Sequence, residues 1–274
     1  MGPTQQEKAV RFRSLHERLQ AFVIPNPWDA GSARLLASLG FEALATSSAA
    51  AANAQGRRDG ELGRDLALAH VRDIVNATEL PVAADLENGF GHDPATVAET
   101  IRLAADTGIV GGSIEDSTGD VSRPLYTLDE AVARIAAAAA SAKTLPFPFT
   151  LTARAENFLH GNPDLDDTIR RLQAYERAGA NVLFAPGLPD LAAVRAVCAA
   201  VTRPVHFMAG MRGRTFPVSD LQRAGVRRVS LAGSLYRAAM SRLVEAAREV
   251  KEHGTFTFLE QTLDSSEMRA RLKL

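Results

Sequence analysis

VAADLENGFG (residues 82–91) begins as a run of small apolar residues, carries Asp85 and Glu87, and breaks on Gly89 and Gly91. The run reads as a fully buried strand, yet it finishes in two carboxylates. Burying one of them unpaired costs several kcal/mol, about the size of a protein's whole stability margin. The strand therefore ends either at the open end of a sheet or against something positive. Just downstream, PATVAETIRLAADTG (94–108) has helical spacing, and GGSIED (111–116) is a second β-rich run that also ends in acids. The unit is strand, helix, strand.

The same alternation runs through the chain. Strands are expected near 22–25, 44–48, 81–87, 111–116, 149–155, 181–186, 204–209 and 227–233, with helical patterns such as 64–78, 165–179 and 188–201 between them. Gly40, Gly108, Gly179 and Gly225 stand where helices stop, a left-handed position that glycine takes without a Cβ penalty. Eight β runs, each followed by a helix, are the count for an α/β fold of the (β/α)8 TIM-barrel type. A doubly wound open sheet competes, but no glycine-rich dinucleotide fingerprint follows the first strand. Residues 1–274 are expected to form one barrel domain with an N-terminal helix and a C-terminal helical tail; AAAAASA (136–142) is helix-forming, not a hinge. The tail FTFLEQTLDSSEMRARLKL has apolar spacing and is expected to pack on a neighbouring subunit, making a homo-oligomer.

Composition narrows the function. At 274 residues, with 46% hydrophobic and 23% charged residues, the chain suits a globular protein with a large core. A net charge of −1 gives no footprint for nucleic acid or for a membrane surface. No apolar run approaches the roughly 20 residues that span a bilayer, and the first residues lack a signal-peptide core. The single Cys198 excludes an internal disulfide framework. A cytoplasmic location is expected.

In a barrel, catalysis comes from the rim at the carboxyl ends of the strands. Those ends carry Asn26, Trp28 and Asp29; Ser47, Ser48 and Ala49; Asp85 and Glu87; Glu115 and Asp116; Arg154 and Glu156; His206; and Ser234. Asp85 and Glu87, two apart on a strand, share a face, with Glu115 on the next strand. Crowded oxygen ligands of this kind suit Mg²⁺. The alternative is a structural network in which these acids pair with Arg154. Arg154 itself reads as a bidentate clamp for a substrate carboxylate or phosphonate, or as a partner for Glu156 or Glu115. TSSAA (46–50) offers backbone N–H groups to an anion or simply permits close packing. Residues 50–63 read as a lid-like loop with Arg57, Arg58 and Asp59, or as a plain surface loop. His160, in the 156–167 rim loop, reads as solvent-facing or capping.

Absences also count. The four lysines, Lys8, Lys143, Lys251 and Lys273, lie away from every expected strand end, which disfavours a Schiff-base aldolase. Cys198 sits in an apolar helix and reads as a small hydrophobe. Zinc-type His/Cys spacing and a P-loop are missing.

NPWDAGSARLLASLGFEALATSSAA, ADLENGFG, GGSIEDS and LTARAE, in this order, resemble the isocitrate lyase/phosphoenolpyruvate mutase superfamily over nearly the full chain. The resemblance implies a (β/α)8 barrel, often tetrameric, whose last helix is exchanged between subunits. It implies Mg²⁺, with Mn²⁺ as a substitute, holding a 2-oxo acid or its enolate while a C–C or P–C bond beside it is made or broken. By motif, Asp85, Glu87 and Glu115 serve the metal, mostly through water. Ser47, Ser48 and Ala49 hold the pyruvyl carboxylate with Arg154 beside it, Trp28 belongs to the substrate-binding set, and Asp59 matches the acidic residue of the gating loop.

Three departures limit the resemblance. EDSTGDVSRPLYTLDE (115–130) lacks the Lys-Lys/Arg-Cys-Gly-His segment of isocitrate-type lyases, so cleavage by that route is not expected. The loop lysine of the mutase and phosphonopyruvate hydrolase branch is missing as well. His206 replaces the seventh-strand asparagine, and Ser113 is the polar residue before the fourth-strand acids.

The leading expectation is a Mg²⁺-dependent lyase or decarboxylase acting on a small 2-oxo or 2-hydroxy carboxylate. Loss of CO₂ from an oxaloacetate-like substrate asks least of a site without the cysteine loop. His206 is either a group that protonates the enolate or a hydrogen-bonded core histidine. The alternatives are a P–C bond enzyme (phosphonomutase or phosphonopyruvate hydrolase type) and a non-catalytic relative that binds an oxo acid. A glycosidase is disfavoured because the rim lacks aromatic platforms. The expected partner is a small carboxylate or phosphonate, and the expected assembly a homodimer or homotetramer.

Overall fold

The computed structural model describes residues 2–273. Its strands are β1 (Phe22–Ile24), β2 (Leu44–Ala45), β3 (Val82–Asp85), β4 (Gly111–Glu115), β5 (Thr150–Arg154), β6 (Val182–Phe184), β7 (Val205–Met208) and β8 (Val226–Ser230). Its helices are α1 (Gln5–Glu17), α2 (Ala30–Ser38), α3 (Ser48–Ala54), α4 (Arg64–Asn76), α5 (Pro94–Ala105), α6 (Leu128–Lys143), α7 (Leu165–Ala178), α8 (Leu191–Ala200), α9 (Val218–Arg223), α10 (Ser234–His253) and α11 (Ser265–Leu272). All pairings are parallel, in the order β1-β8-β7-β6-β5-β4-β3-β2. This is the (β/α)8 barrel, with each expected strand present.

The remaining seam, between β1 and β2, is closed by fewer bonds. Ala45 N–H donates to Pro25 O at 3.1 Å. The buried Asn26 amide then donates to Thr46 O at 3.0 Å and accepts from Leu231 N–H at 2.9 Å, joining β1 to both neighbours. α1 covers the end at which the strands start. Its Phe12 packs edge-on against Phe22 and lies 3.0 Å from where a Cβ on Gly111 would sit, with Thr150 O at 2.7 Å. Only glycine fits there.

Two expected boundaries change. Alanine, the best helix former, turns residues 48–54 into α3 with Ala50, Ala51 and Ala52 buried, so the lid-like loop shrinks to residues 55–63. β3 stops at Asp85, because Glu87 takes a left-handed backbone (φ 49°). The shared-face argument for Asp85 and Glu87 therefore fails; Glu87 reaches the rim from a turn.

The tail also departs from expectation. α11 folds back on its own chain's α2, where Arg34 donates to Leu272 O at 3.0 Å. α10 has no buried residue, and Leu243, Val244 and Val250 on it are exposed, with Phe256, Leu259 and Leu263 just beyond.

Candidate active site

A cavity of about 1580 Å³ opens at the carboxyl ends of β2 to β5. At its floor stands Arg154, whose side chain is 13% exposed. Its Nη1 meets Asp85 Oδ1 at 2.9 Å, Nη2 meets Glu115 Oε2 at 3.1 Å, and Nε meets Glu156 Oε1 at 2.8 Å. The structural network weighed from sequence is present. A guanidinium has five N–H donors in a fixed fork, and three are used here, so two remain for a ligand.

Asp85 is tightly held. Ser48 donates its N–H (3.2 Å) and hydroxyl (3.1 Å) to Oδ2, and Ser113 donates to Oδ1 at 3.3 Å. Burial alone raises its pKa, but Arg154 and the Ser48 donors outweigh burial and hold it below the usual carboxylate range. For Glu87, burial, then the Asp85 and Asp59 charges, outweigh the pull of Arg154 and push it up to about 8. Glu115 and Glu156 are also raised, foremost by burial, against the pull of Arg154. Asp59, on the exposed 55–63 loop, turns its carboxyl toward Ser48 and Asp85; its enclosure raises the pKa, the Ser48 hydroxyl opposes this, and the Asp85 charge reinforces it.

One guanidinium thus faces five carboxyl groups: Asp59, Asp85, Glu87, Glu115 and Glu156. This oxygen-only donor set with excess negative charge fits a hard divalent cation. Among the described residues, no three acidic, histidine or cysteine side chains converge closely enough to enclose an ion. Arg154 sits between Asp85 and Glu115, and Glu87 leaves the strand, so the tight trio expected from sequence does not form. Mg²⁺ suits this arrangement, because it keeps several waters and takes only one or two carboxylates.

The other expected residues divide. Ser47 Oγ accepts from Ala50 N–H at 3.4 Å and caps α3, where Ala49 also lies; with the Ser48 donors given to Asp85, the TSSAA run is engaged internally. Trp28 does not line the cavity; it packs edge-on against Tyr236 of α10, with ring centroids 5.6 Å apart. His206 lies inside the barrel, its Nε2 2.7 Å from Ser230 Oγ and its ring against Phe184. Burial first, then nearby Arg228, push its pKa well below normal, and it lies beneath the cavity rather than in its lining. His160 is exposed and lines the cavity mouth.

Sequence reasoning placed Asp116 at a strand end but missed the layer of partners around the rim. Asp116, buried, accepts from Glu156 N–H (2.8 Å), Arg171 (3.0 Å) and Tyr175 Oη (2.6 Å), anchoring the turn after β5. His92 and Tyr126 pair at 2.6 Å, and Arg134 stacks over the Tyr126 ring at 4.1 Å. Arg134 carried a signal: it lies on the apolar stripe Ala131, Ile135, Ala138 of α6, where a charge calls for an explanation.

The phosphoenolpyruvate phosphomutase family model matches residues 12–251. The chain belongs to that family. A solved structure of a candidate lyase/mutase from Burkholderia cenocepacia J2315 is 54% identical, covers 97% of this chain and 95% of its own, and superposes with a TM-score of 0.95. The 2-methylisocitrate lyase of Escherichia coli K12 is 31% identical over 89% of this chain and 84% of its own. The oxaloacetate decarboxylase of Bradyrhizobium diazoefficiens is 29% identical over 95% and 93%. Within the phosphoenolpyruvate phosphomutase family, then, this chain has lyases among its relatives along nearly its whole length.

Proposed function

We propose that this protein is a Mg²⁺-dependent carbon–carbon lyase that splits a small 2-oxo or 2-hydroxy carboxylate and releases a pyruvyl unit. The observation that carries the reading is Arg154, paired with carboxylates from three strand ends and keeping two N–H donors, in a cavity rich in carboxylates. Asp85, Glu87 and Glu115 are the residues that would hold the ion. A bound Mg²⁺ would supply Lewis acidity to the substrate.

The chain's own groups do the rest. The two remaining Arg154 N–H groups bind the pyruvyl carboxylate. With a 2-oxo substrate such as oxaloacetate, the electron pair of the broken bond stays on the pyruvyl carbon as an enolate and CO₂ leaves. With a 2-hydroxy substrate, the hydroxyl loses its proton and becomes the pyruvyl carbonyl, and the electron pair leaves with the other carboxylate fragment, which then takes up a proton. Asp59, on the 55–63 loop beside Ser48 and Asp85, carries the proton that quenches the carbanion. Decarboxylation needs no second acid for the leaving group, which suits a cavity lined by no lysine or cysteine. The names of the 2-methylisocitrate lyase and oxaloacetate decarboxylase relatives support this class.

P–C bond chemistry is the second reading, favoured by the phosphomutase family match. For the assembly, we propose that the bare α10 face pairs with a second copy of this chain, giving a homodimer or homotetramer.

The test is pyruvate release, with and without Mg²⁺, from oxaloacetate, 2-alkylmalates, 2-methylisocitrate and phosphonopyruvate, with Asp85→Ala as the control for contaminating activity. Metal-dependent release from one of the carboxylates is expected; release from phosphonopyruvate alone would move the assignment to the P–C class. Release that persists in Asp85→Ala would remove the metal rim from the mechanism.

A further inference from the structure

The turn after β3 is backbone in an unfavourable conformation. Glu87 (φ 49°) and Phe90 (φ 57°) are both left-handed without being glycine, with Gly89 (φ 82°) between them. Such residues cost on the order of 1–3 kcal/mol each and persist only where the surroundings over-determine them. The carbonyls of this turn show what does so. Leu86 O accepts from Gly89 N–H at 2.8 Å, Glu87 O from Glu115 N–H at 3.0 Å, and Gly89 O from Thr100 Oγ1 at 2.9 Å. Three more, Asn88 O, Gly91 O (2.8 Å) and His92 O, all accept from the single guanidinium of Arg134.

Arg134 is 1% exposed and has no carboxylate partner among the described residues. A buried cation of this kind is costly unless its donors are satisfied. Here carbonyl dipoles at Nη1 and Nη2 and the Tyr126 ring, 4.1 Å below its centre, stand in for a counter-ion, while the buried Nε has no partner among the described residues. Tyr126 in turn bonds His92 at 2.6 Å, closing the contact between α6 and the turn.

We infer that Arg134 is a positioning residue: by clamping the carbonyls of Asn88, Gly91 and His92 it sets the Glu87 carboxylate over the rim and so determines the site's affinity for a divalent cation. The inference rests on the reading of Asp85, Glu87 and Glu115 as the cation site. It is independent of which bond the enzyme cleaves, because the clamp acts on the unliganded protein. Groups that orient metal-binding side chains typically contribute 10- to 100-fold to affinity.

The experiment is direct Mn²⁺ binding, by electron paramagnetic resonance of the free ion, to the unaltered protein and to Arg134→Met, Arg134→Lys and Arg18→Met. Arg18 pairs with Glu42 far from the rim and reports the effect of losing an ion pair as such. Measurements are made well below each variant's melting temperature. The expected result is a roughly 10- to 100-fold weaker Kd in Arg134→Met, partial recovery in Arg134→Lys, whose ammonium reaches fewer carbonyls, and no change in Arg18→Met. Should Arg134→Met not fold, Arg134→Lys against Arg18→Met carries the test. Unchanged Mn²⁺ affinity in the folded Arg134 variants would overturn the inference and leave the cation site standing. No Mn²⁺ binding by the unaltered protein would overturn both.

Discussion

Arg154 has the largest expected consequence of any single side chain. It compensates Asp85, Glu115 and Glu156 at distances of 2.8–3.1 Å, and all three are buried or nearly so. Removing one partner of a buried ionic group leaves uncompensated charge, at a cost of about 3–5 kcal/mol. Arg154→Met should therefore lose about that much in urea denaturation at pH 7 without divalent ions. Glu87 gives a pH signature. Its folded-state pKa, about 8, lies above the ordinary value of 4.5, so the folded protein binds more protons between these values. Its contribution to stability is complete below pH 4.5 and is lost as pH rises through about 8. In metal-free buffer, the stability of the protein relative to Glu87→Gln should fall steadily across that window. A flat difference would show that Glu87 is not held in the crowded carboxylate site.

At the scale of elements, the candidate site depends on two short segments. The turn from β3 to α5 needs Gly89: at φ 82° an added Cβ is strained and would lie 3.0 Å from Val97 Cγ2. Gly89→Ala should cost more than about 1 kcal/mol, visible as a lower melting temperature, because Val97 is fully buried and cannot yield. The 55–63 loop behaves oppositely. Its residues are mostly exposed, so Asp59→Asn should leave the melting temperature unchanged while lowering kcat for pyruvate release about 100-fold, the lower range for a positioned proton carrier. A loss of stability in Asp59→Asn with kcat intact would assign the loop a structural role.

For the whole molecule, the unmatched feature is α10. A 20-residue helix with no buried residue, followed by exposed Phe256, Leu259 and Leu263, leaves an apolar face that a monomer rarely keeps. Sedimentation should show a dimer or larger assembly, and Leu243→Glu with Phe256→Glu should shift it toward monomer. The barrel itself was legible from local signals. Each β run is short and apolar, and four of them, β2, β4, β6 and β8, follow a helix that stops at glycine; these are properties of consecutive residues. All eight runs became strands, and Arg154 and its acids were named because they stand at strand ends. What was misread were the ends themselves. Nothing local to residues 82–87 marks Asp85 as the last strand residue; the stop comes with the left-handed backbone of Glu87, whose carbonyl accepts from Glu115 N–H, 28 positions away. Trp28 and His206 were likewise assigned to the rim by position in the chain, whereas α10 covers one and the barrel interior encloses the other.

The sequence by itself determined the alternation of elements, the closed barrel and the carboxylates gathered on its rim, because periodicity, glycine stops and strand-end position act over a few residues at a time. Only the tertiary structure decided which of those groups meet. The partners of Arg154 include Asp85, 69 positions away, and Arg134 reaches 42 to 46 positions back to hold the turn that carries Glu87. Closing the barrel sets such distances, and a few ångströms separate a paired carboxylate from one whose proton is held up to about pH 8.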